Sequence, residues 1–344
     1  AKAKAHRASA EAMGLADRWY RPPIAVTFED GVNHVGVEQK ACNDCGDCVS
    51  GCNNLAKNTT LMNYLPDAWN HGAEIFTQCA VRRVSRQGDR WAVHFQRLGE
   101  GREFFGNDEL TVTADVVVLA AGTLGSTEIL LRSREFGLAV SDRLGHHFSG
   151  NGDVLGFGYN TDHVVNGIGY GARNPDTLPP VGPCIVSIID RRNSEKLDDG
   201  YVMEEGSIPG ALGSIQPLTQ GLAAGPFGRK GKDGLGDTVR KMWREAASYT
   251  AGPYRGAIRN SQVYLVMAHD SSRGTLELVD DRLRISWPGV GKEAVFERVN
   301  DGLAEAAEAL GGTYIENPIW SPAFKESLVT VHNLGGCVMA DDAS

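Results

Sequence analysis

The sequence predicts a mixed α/β (α+β) fold with two parts. Residues 114–133 combine an apolar run, Val116–Leu119, with a glycine turn and a helical pattern, which is typical of a parallel strand covered on both faces. Residues 263–267 predict a strand, residues 275–279 and 283–287 alternate apolar and polar side chains around a hairpin turn at Asp280-Asp281, and an apolar stripe over 293–310 indicates a helix covering a sheet. We therefore expect an α/β domain and a second domain built on an antiparallel sheet covered by helices.

Length and charge narrow the class further. With 344 residues, 42% of them hydrophobic, the chain is long enough for about two domains. Its formal net charge of −9 provides no overall positive field, which disfavours nucleic acid and anionic membranes as partners. The sequence contains no run of 18 apolar residues, so it predicts no transmembrane helix. The first residue is Ala rather than Met, so the location stays unknown, with the cytoplasm favoured.

Four cysteines near the start have metal-ligand spacing. Cys42, Cys45, Cys48 and Cys52 follow the pattern C-x2-C-x2-C-x3-C, although Asn53 stands where a proline is usual. Thiolates this close could bind an iron-sulfur cluster or zinc, form disulfides, or belong to a structural loop. These four residues are candidate metal ligands, and a competing hypothesis is an iron-sulfur electron-transfer protein.

The glycine turn after the apolar run has the form of an anion site. Gly122 and Gly125 bracket the turn, and Ser126 occupies the expected N-cap of the helix that follows. Free N–H groups at such a helix start can face a phosphate. The same turn follows many buried strands, so this stretch alone does not separate cofactor contact from ordinary packing.

Two neighbouring carboxylates end the predicted strand at 201–203. Glu204 and Glu205 project to opposite sides of the strand, so at most one can enter a pocket. The alternative is a charged strand end.

A histidine occupies a similar position near the end of the chain. His332 directly follows a β-branched strand, and Gly335-Gly336 then turn the chain away. A strand end before a glycine turn is well placed for catalysis, and a core histidine is the alternative.

Residues 237–249 predict an amphipathic helix. Its apolar side contains Val239, Met242 and Trp243. We expect this side to pack against the protein, with a lid as the alternative.

Taken in order, several stretches resemble the glucose-methanol-choline (GMC) oxidoreductases, flavoproteins that oxidise alcohols, and within them the cholesterol oxidase-like branch. The stretch VTVHNLGGC is the most specific of these. The other similar stretches are GCNNLAKNTTLMNYLPDA, the strand ending at Val81, VVVLAAGTLGSTEILLRS and SGNGDVLGFGYN.

The resemblance implies an FAD-binding Rossmann-like domain. Val81 would meet the adenine through its backbone, and Ala121 with Gly122 would line the nucleotide site. The family's N-terminal GxGxxG loop and its C-terminal FAD segment are not in this sequence, so the domain is expected to be incomplete and the chain to be an internal fragment, inactive alone. The implied domains are 1–152 (FAD-binding part with the cysteine-rich loop and a β-hairpin insertion), 153–326 (substrate domain) and 327–344 (return to the FAD-binding domain).

The resemblance also implies a reaction. An alcohol CH–OH group would be oxidised by hydride transfer to the flavin, with His332 as the catalytic base. A pocket glutamate is expected, and spacing slightly favours Glu205 over Glu204. The implied substrate is a small-molecule alcohol, sterol-like or terpenoid, and the electron acceptor is oxygen or a redox protein.

Overall fold

The computed structural model describes residues 1–99, 109–173, 177–230 and 234–339. It confirms the mixed α/β class, with helices and antiparallel sheets. Within these ranges, no helix has the length and apolar character needed to cross a membrane. The helices are α1 (Lys2–Ala12), α2 (Tyr64–Asn70), α3 (Gly122–Glu135), α4 (Gln216–Ala223), α5 (Leu235–Ala251), α6 (Gly256–Arg259) and α7 (Ala294–Glu308).

The strands are short and mostly antiparallel. They are β1 (Trp19–Tyr20), β2 (Gly31–Val32), β3 (Glu38–Gln39), β4 (Cys79–Gln87), β5 (Arg90–Arg97), β6 (Leu110–Ala114), β7 (Val154–Tyr159), β8 (Ile188–Asp190), β9 (Tyr201–Gly206), β10 (Gly228–Lys230), β11 (Gln262–Ala268), β12 (Thr275–Val279), β13 (Arg282–Ser286) and β14 (Thr313–Ile315).

The chain divides into two compact units. Unit 1 comprises Ala1–Ala73, Gly152–His269 and Gly291–Val329, and unit 2 comprises Glu74–Asn151, Asp270–Val290 and Thr330–Ser344. Both units are discontinuous in sequence. The predicted assignment of an FAD-binding and a substrate domain stays a prediction.

Unit 1 is built on a seven-stranded sheet in the order β1-β8-β9-β11-β7-β14-β10. Successive side chains along each strand point to opposite faces of this sheet. On one face, the Tyr314 hydroxyl donates to Asn300 Oδ1 of α7 at 2.6 Å. On the other, Val263 and Ile315 share an apolar cluster with Ile258 of α6. The core of unit 1 therefore lies on both sides of the sheet.

Unit 2 contains the sheet β4-β5-β6, the hairpin β12-β13 and helix α3. The hairpin predicted around Asp280-Asp281 is confirmed as β12-β13, and β4-β5 forms the hairpin expected within residues 1–152. Asp280 and Asp281 have φ of 52° and 57° and join β12 to β13, which is the left-handed geometry of a two-residue hairpin turn. The composition of residues 98–108 predicts a polar turn, and this segment lies mostly outside the described residues.

The predicted parallel strand at Val116–Leu119 is wrong in this structure. These residues belong to no strand, and Val116 and Val118 are exposed. A strand exists only when a neighbour accepts and donates its backbone hydrogen bonds, and no described strand pairs with this segment. The helix that follows begins at Gly122, so Ser126 lies inside its first turns and is not the N-cap.

The predicted inward packing of the α5 apolar side is also wrong. Val239, Met242 and Trp243 are exposed, whereas Lys241 and Ser248 of the same helix are buried. The 3.6-residue period was right, but the apolar side faces outward.

Candidate active site

A cavity in unit 2 brings two of the predicted cofactor residues together. Its volume is about 580 Å³, and Val81 and Ala121 both line it. The remaining walls come from β4, β5, the segment before α3 and α3 itself: Cys79, Ala80, Arg82, Val93, Val117, Val118, Leu119, Ala120, Gly125, Glu128, Ile129 and Arg132.

At 580 Å³ the cavity is large enough for one part of a dinucleotide, such as an adenosine group. Gly122, the third predicted cofactor residue, begins α3 beside it, with φ of 71° and open space where a Cβ would lie. No side chain caps the N–H groups of the first turn of α3, and the Ala121 N–H donates to Ser126 Oγ at 3.0 Å. Uncapped N–H groups at a helix start favour an anion, so these residues fit the phosphate end of a nucleotide.

The loop that carries the predicted catalytic histidine docks on the same helix. The Thr123 hydroxyl of α3 donates to the Asn333 carbonyl at 2.7 Å. A methyl group at Gly335 would overlap the His147 carbonyl, and one at Gly336 would overlap Thr127 of α3. Both glycines also have positive φ, 88° and 79°. The glycine pair therefore permits a contact with α3 that other residues would prevent.

His332 itself is half-buried in unit 2 and held by its backbone. Its N–H donates to Thr330 Oγ1 at 3.3 Å, and that hydroxyl donates to the Gly150 carbonyl at 2.8 Å. The Gly150 N–H in turn donates to Asp270 Oδ2 at 2.9 Å. This chain of hydrogen bonds links the histidine loop to the glycine-rich segment that the sequence singled out.

Glu205 lies in unit 1 and is fully buried, with 0% of its surface exposed. Lys2 Nζ lies 2.8 Å from its Oε2 and donates to its Oε1 at 3.1 Å, and the Val186 N–H also donates to Oε1 at 2.9 Å. Burial raises the pKa of the Glu205 carboxyl to about 7, because desolvation outweighs the lowering by Lys2. The Glu205 carboxylate thus forms an internal ion pair with Lys2.

Helix α1 supplies a second buried polar group beside this pair. His6 Nδ1 lies 2.9 Å from Ser187 Oγ, and burial lowers the pKa of His6 to about 3, with the Lys2 charge adding to the effect. Lys2 and His6 were not predicted to be buried, because their helix has the composition of a surface element. Their spacing of four residues, continued by the buried Ser9, was the available indication of a shared face.

Glu204 projects to the other face of the sheet. It stands opposite Leu265 in β11, whereas Glu205 stands opposite Tyr264, and neighbouring residues of a strand point to opposite faces. His332 and Glu205 lie in different units. The roles assigned to His332, Glu205 and the nucleotide residues stay predictions.

The metal site predicted for Cys42, Cys45, Cys48 and Cys52 stays a prediction. Among the described residues, no group of three or more His, Cys, Asp or Glu side chains is arranged to hold a metal ion. The four cysteines are free thiols rather than disulfides.

Contacts outside the thiols fix the backbone of this loop within unit 1. Asp47 accepts hydrogen bonds from the N–H groups of Gly171 and Gly210 at 2.8 and 2.7 Å. The Ser207 hydroxyl donates to the Gly46 carbonyl at 2.7 Å. These contacts are those of a structural loop, one of the alternatives that the cysteine spacing left open.

Comparison with known proteins shows what the chain is similar to. The family model described as GMC oxidoreductase matches residues 10–149, which include the cavity-lining residues and all of α3. The match confirms the predicted resemblance of this part of the chain to the GMC oxidoreductases.

Its curated relatives are named cholesterol oxidases. Two of them, from Mycobacterium tuberculosis strains CDC 1551 and H37Rv, are each 29% identical over 369 residues, which cover 97% of this chain. A third, from Acinetobacter baumannii, is 29% identical over 184 residues, covering 47% of this chain and 33% of its own length. The chain spans 58% of the length of the two mycobacterial relatives.

Proposed function

We propose that the full-length protein oxidises an alcohol with bound FAD and uses His332 as the catalytic base. One observation carries the proposal: the loop with His332 docks on α3, whose start lies beside the cavity lined by Val81 and Ala121. The candidate base and the candidate nucleotide residues thus belong to one unit.

Val81, Ala121 and Gly122 are the residues that would hold the nucleotide part of FAD. The backbone around Val81 and Ala121 would contact the adenosine end, and the uncapped N–H groups at the start of α3 would bind a phosphate. When bound, the flavin supplies the redox chemistry and takes up the hydride of the alcohol carbon.

The contribution of His332 is to move one proton. A neutral imidazole within hydrogen-bond reach of the substrate hydroxyl accepts its proton as the C–H bond breaks. The hydrogen bonds from His332 through Thr330 to Gly150 fix the backbone that carries the ring, which limits the orientations that the ring must search.

Two residues are candidates for the pocket glutamate. Glu205 was preferred on spacing, but its carboxylate is bound by Lys2 and Val186. Glu204, on the opposite face of β9, is the second candidate. The single variants Glu204→Gln and Glu205→Gln distinguish the two candidates. Only substitution of the residue that contacts the substrate should lower turnover without a matching loss of stability.

For the substrate we propose a sterol-like alcohol, on the support of the relatives' names. Oxygen and a redox protein both remain proposed acceptors. Ile189, Met203 and Tyr264 are fully buried core residues of unit 1, so they are not assigned to a substrate pocket.

The test is His332→Ala in the full-length holoenzyme. General base catalysis contributes about 10²- to 10⁴-fold, so we expect reduction of the bound flavin by cholesterol to slow at least about 100-fold, with flavin absorbance retained. His71→Ala, which removes an exposed histidine in unit 1, is the matched control and should not change the rate. Unchanged reduction in the His332 variant would contradict the proposal.

A further inference from the structure

The backbone on both sides of His332 is held by two consecutive residues, Ser149 and Gly150. The Thr330 hydroxyl, two residues before the histidine, donates to the Gly150 carbonyl at 2.8 Å. Leu334, two residues after the histidine, exchanges both backbone hydrogen bonds with Ser149, each at 3.0 Å. The position of the histidine backbone therefore depends on the position of Ser149 and Gly150.

The Asp270 carboxylate binds both of these residues. Its Oδ1 accepts the Ser149 hydroxyl at 2.7 Å, and its Oδ2 accepts the Gly150 N–H at 2.9 Å. Ser149 is buried, and hydrogen bonds to a carboxylate are stronger than those between neutral groups. One carboxylate thus fixes the two residues that hold the histidine loop.

The segment after Asp270 is itself held in place. Asp270 Oδ1 also accepts the Ser272 N–H at 3.0 Å. Gly274 then exchanges both backbone hydrogen bonds with Phe148, at 2.9 and 3.1 Å. Phe148 is buried, and its ring meets the Trp287 ring edge to face with the centroids 6.1 Å apart. The backbone that carries the carboxylate is therefore anchored to the core of unit 2.

Correct placement is the main requirement of a general base. The imidazole must lie within hydrogen-bond reach of the substrate hydroxyl, and a misplacement of about 1 Å can slow a reaction about 100-fold. A group that sets the backbone position of His332 therefore controls the rate without contacting the substrate.

We propose that Asp270 is a positioning residue for His332 and acts through Ser149 and Gly150. The inference rests on the proposed role of His332 as the base. The carboxylate, the two residues that it binds and the histidine loop all belong to unit 2. The alternative is an anchor that only stabilises the loop, and the two roles differ in what a substitution does to turnover.

Asp270→Asn in the full-length holoenzyme is the first test. The substitution replaces one acceptor oxygen by an NH2 donor, so either the Ser149 hydroxyl or the Gly150 N–H loses its acceptor. With cholesterol as the probe, we expect the limiting rate of flavin reduction to fall at least about tenfold, whereas the half-saturating concentration changes less than about twofold. If this variant does not fold, Ser149→Ala removes the same hydrogen bond from the other partner and should slow reduction in the same way.

Asp190→Asn is the matched control. Asp190 accepts the N–H of Arg192, two residues later, at 2.9 Å, as Asp270 accepts that of Ser272, but it lies in unit 1. This variant should change neither the limiting rate nor the half-saturating concentration. A loss of stability alone would lower the amount of flavin-containing protein in Asp270→Asn, and not the rate measured on that protein.

Thr330 provides a pair of variants one hydrogen bond closer to the histidine. Thr330→Val keeps the shape of the side chain but removes its hydroxyl, whereas Thr330→Ser keeps the hydroxyl. We expect reduction to slow at least about tenfold in the Val variant and to stay near the unchanged rate in the Ser variant. Adding Asp270→Asn to His332→Ala should slow reduction no further, because the ring through which Asp270 acts is already absent.

Hydrogen exchange gives a readout that does not depend on turnover. The His332 N–H donates to Thr330 Oγ1, and the Leu334 N–H donates to the Ser149 carbonyl. We expect both amides to exchange faster in Asp270→Asn than in the unchanged holoenzyme, and at the unchanged rate in the Asp190 variant.

The outcomes separate this inference from the proposed function. Slow reduction in His332→Ala with unchanged reduction and exchange in Asp270→Asn would overturn the inference alone. A further loss in the double variant would also overturn it, because Asp270 would then act by a route other than His332. Unchanged reduction in His332→Ala would instead overturn the proposed base, and the inference with it.

Discussion

At the residue scale, the buried pair of Lys2 and Glu205 has a measurable cost when broken. Both side chains are almost fully buried, so removing one leaves an uncompensated charge in the interior. We expect Lys2→Met to lower the free energy of unfolding by about 3–5 kcal/mol, and Lys2→Met with Glu205→Leu to recover most of the loss. Urea denaturation measures both variants.

The exposed pair of Lys40 and Glu38 is the control for this experiment. Its two side chains are 50% and 69% exposed, at a similar separation of 2.9 Å. Lys40→Met should cost less than about 1 kcal/mol, because solvent screens an exposed pair. Equal costs at the two sites would show that burial does not control the strength of the Lys2–Glu205 contact.

His6 and Glu205 give opposite pH dependences. The folded-state pKa of Glu205, about 7, is above its ordinary 4.5, so its contribution favours the fold below pH 4.5 and is lost as the pH rises through 7. The folded-state pKa of His6, about 3, is below its ordinary 6.5, so its contribution is present above pH 6.5 and is lost as the pH falls. Between pH 4.5 and 6.5, a rising pH therefore lowers the free energy of unfolding through Glu205 and raises it through His6.

In His6→Gln, the pH dependence of the free energy of unfolding that is due to Glu205 should therefore no longer be offset by His6. Relative to the unchanged protein, the variant's free energy of unfolding should gain up to about 1.4 kcal/mol per pH unit as the pH falls from 6.5. Urea denaturation at a series of pH values measures the difference, and adding Glu205→Gln should remove the remaining opposing slope. A difference that does not change with pH would contradict the burial of a neutral His6.

At the element scale, the glycine pair after His332 decides whether the loop can reach α3. Gly335→Ala brings both the strain of positive φ and an overlap with the His147 carbonyl. Gly137, with φ of 91° and open space around its missing Cβ, is the matched control for strain alone. We expect Gly137→Ala to cost about 1–2 kcal/mol and Gly335→Ala clearly more, measured by denaturant unfolding. Equal costs would argue against the tight packing of this loop.

The cysteine loop permits a similar comparison. Asp47→Ala leaves the half-buried Gly210 N–H and the exposed Gly171 N–H without their acceptor, and we expect a loss of about 1–3 kcal/mol, mainly from Gly210 because water can replace the acceptor at Gly171. Replacing Cys42, Cys45, Cys48 and Cys52 by Ser should change stability less than Asp47→Ala, and anaerobic reconstitution with iron and sulfide should give no brown absorbance in either the variant or the unchanged protein. Cluster absorbance that disappears with the cysteines would restore the iron-sulfur hypothesis.

Sequence patterns correctly predicted the turns and helices whose conformation depends on neighbouring residues in the chain. The Asp280-Asp281 turn has its own backbone preference, and α7 has both a 3.6-residue period and a glycine stop after it, so both were found. The strand at Val116–Leu119 was not found in the structure, because strand formation depends on partners distant in sequence. Periodicity also cannot tell which side of α5 faces inward, since that depends on Asn160 and the α6 backbone.

The same limit applies to the candidate site at the scale of the whole molecule. Alternation along β9 showed that Glu204 and Glu205 point to opposite faces, but not that α1 would cover the Glu205 face and supply Lys2. His332, Val81 and Ala121 were named from resemblance, and the structure places all three in unit 2. The sequence therefore proposed these site residues, whereas the side chains that surround them could be found only from the fold.

The division into units predicts where FAD should stabilise the full-length protein. A ligand that binds only the folded state adds RT ln(1 + [L]/Kd), about 2.7 kcal/mol at a hundredfold excess over Kd. Hydrogen exchange should therefore slow at residues 79–84 and 119–127 of unit 2 when FAD is bound, because these segments line the cavity and begin α3. ADP should protect residues 119–127 in the same way, since it carries the phosphates without the flavin. Protection confined to unit 1, or ADP protection elsewhere in the chain, would contradict the assignment of the nucleotide site to Val81, Ala121 and Gly122.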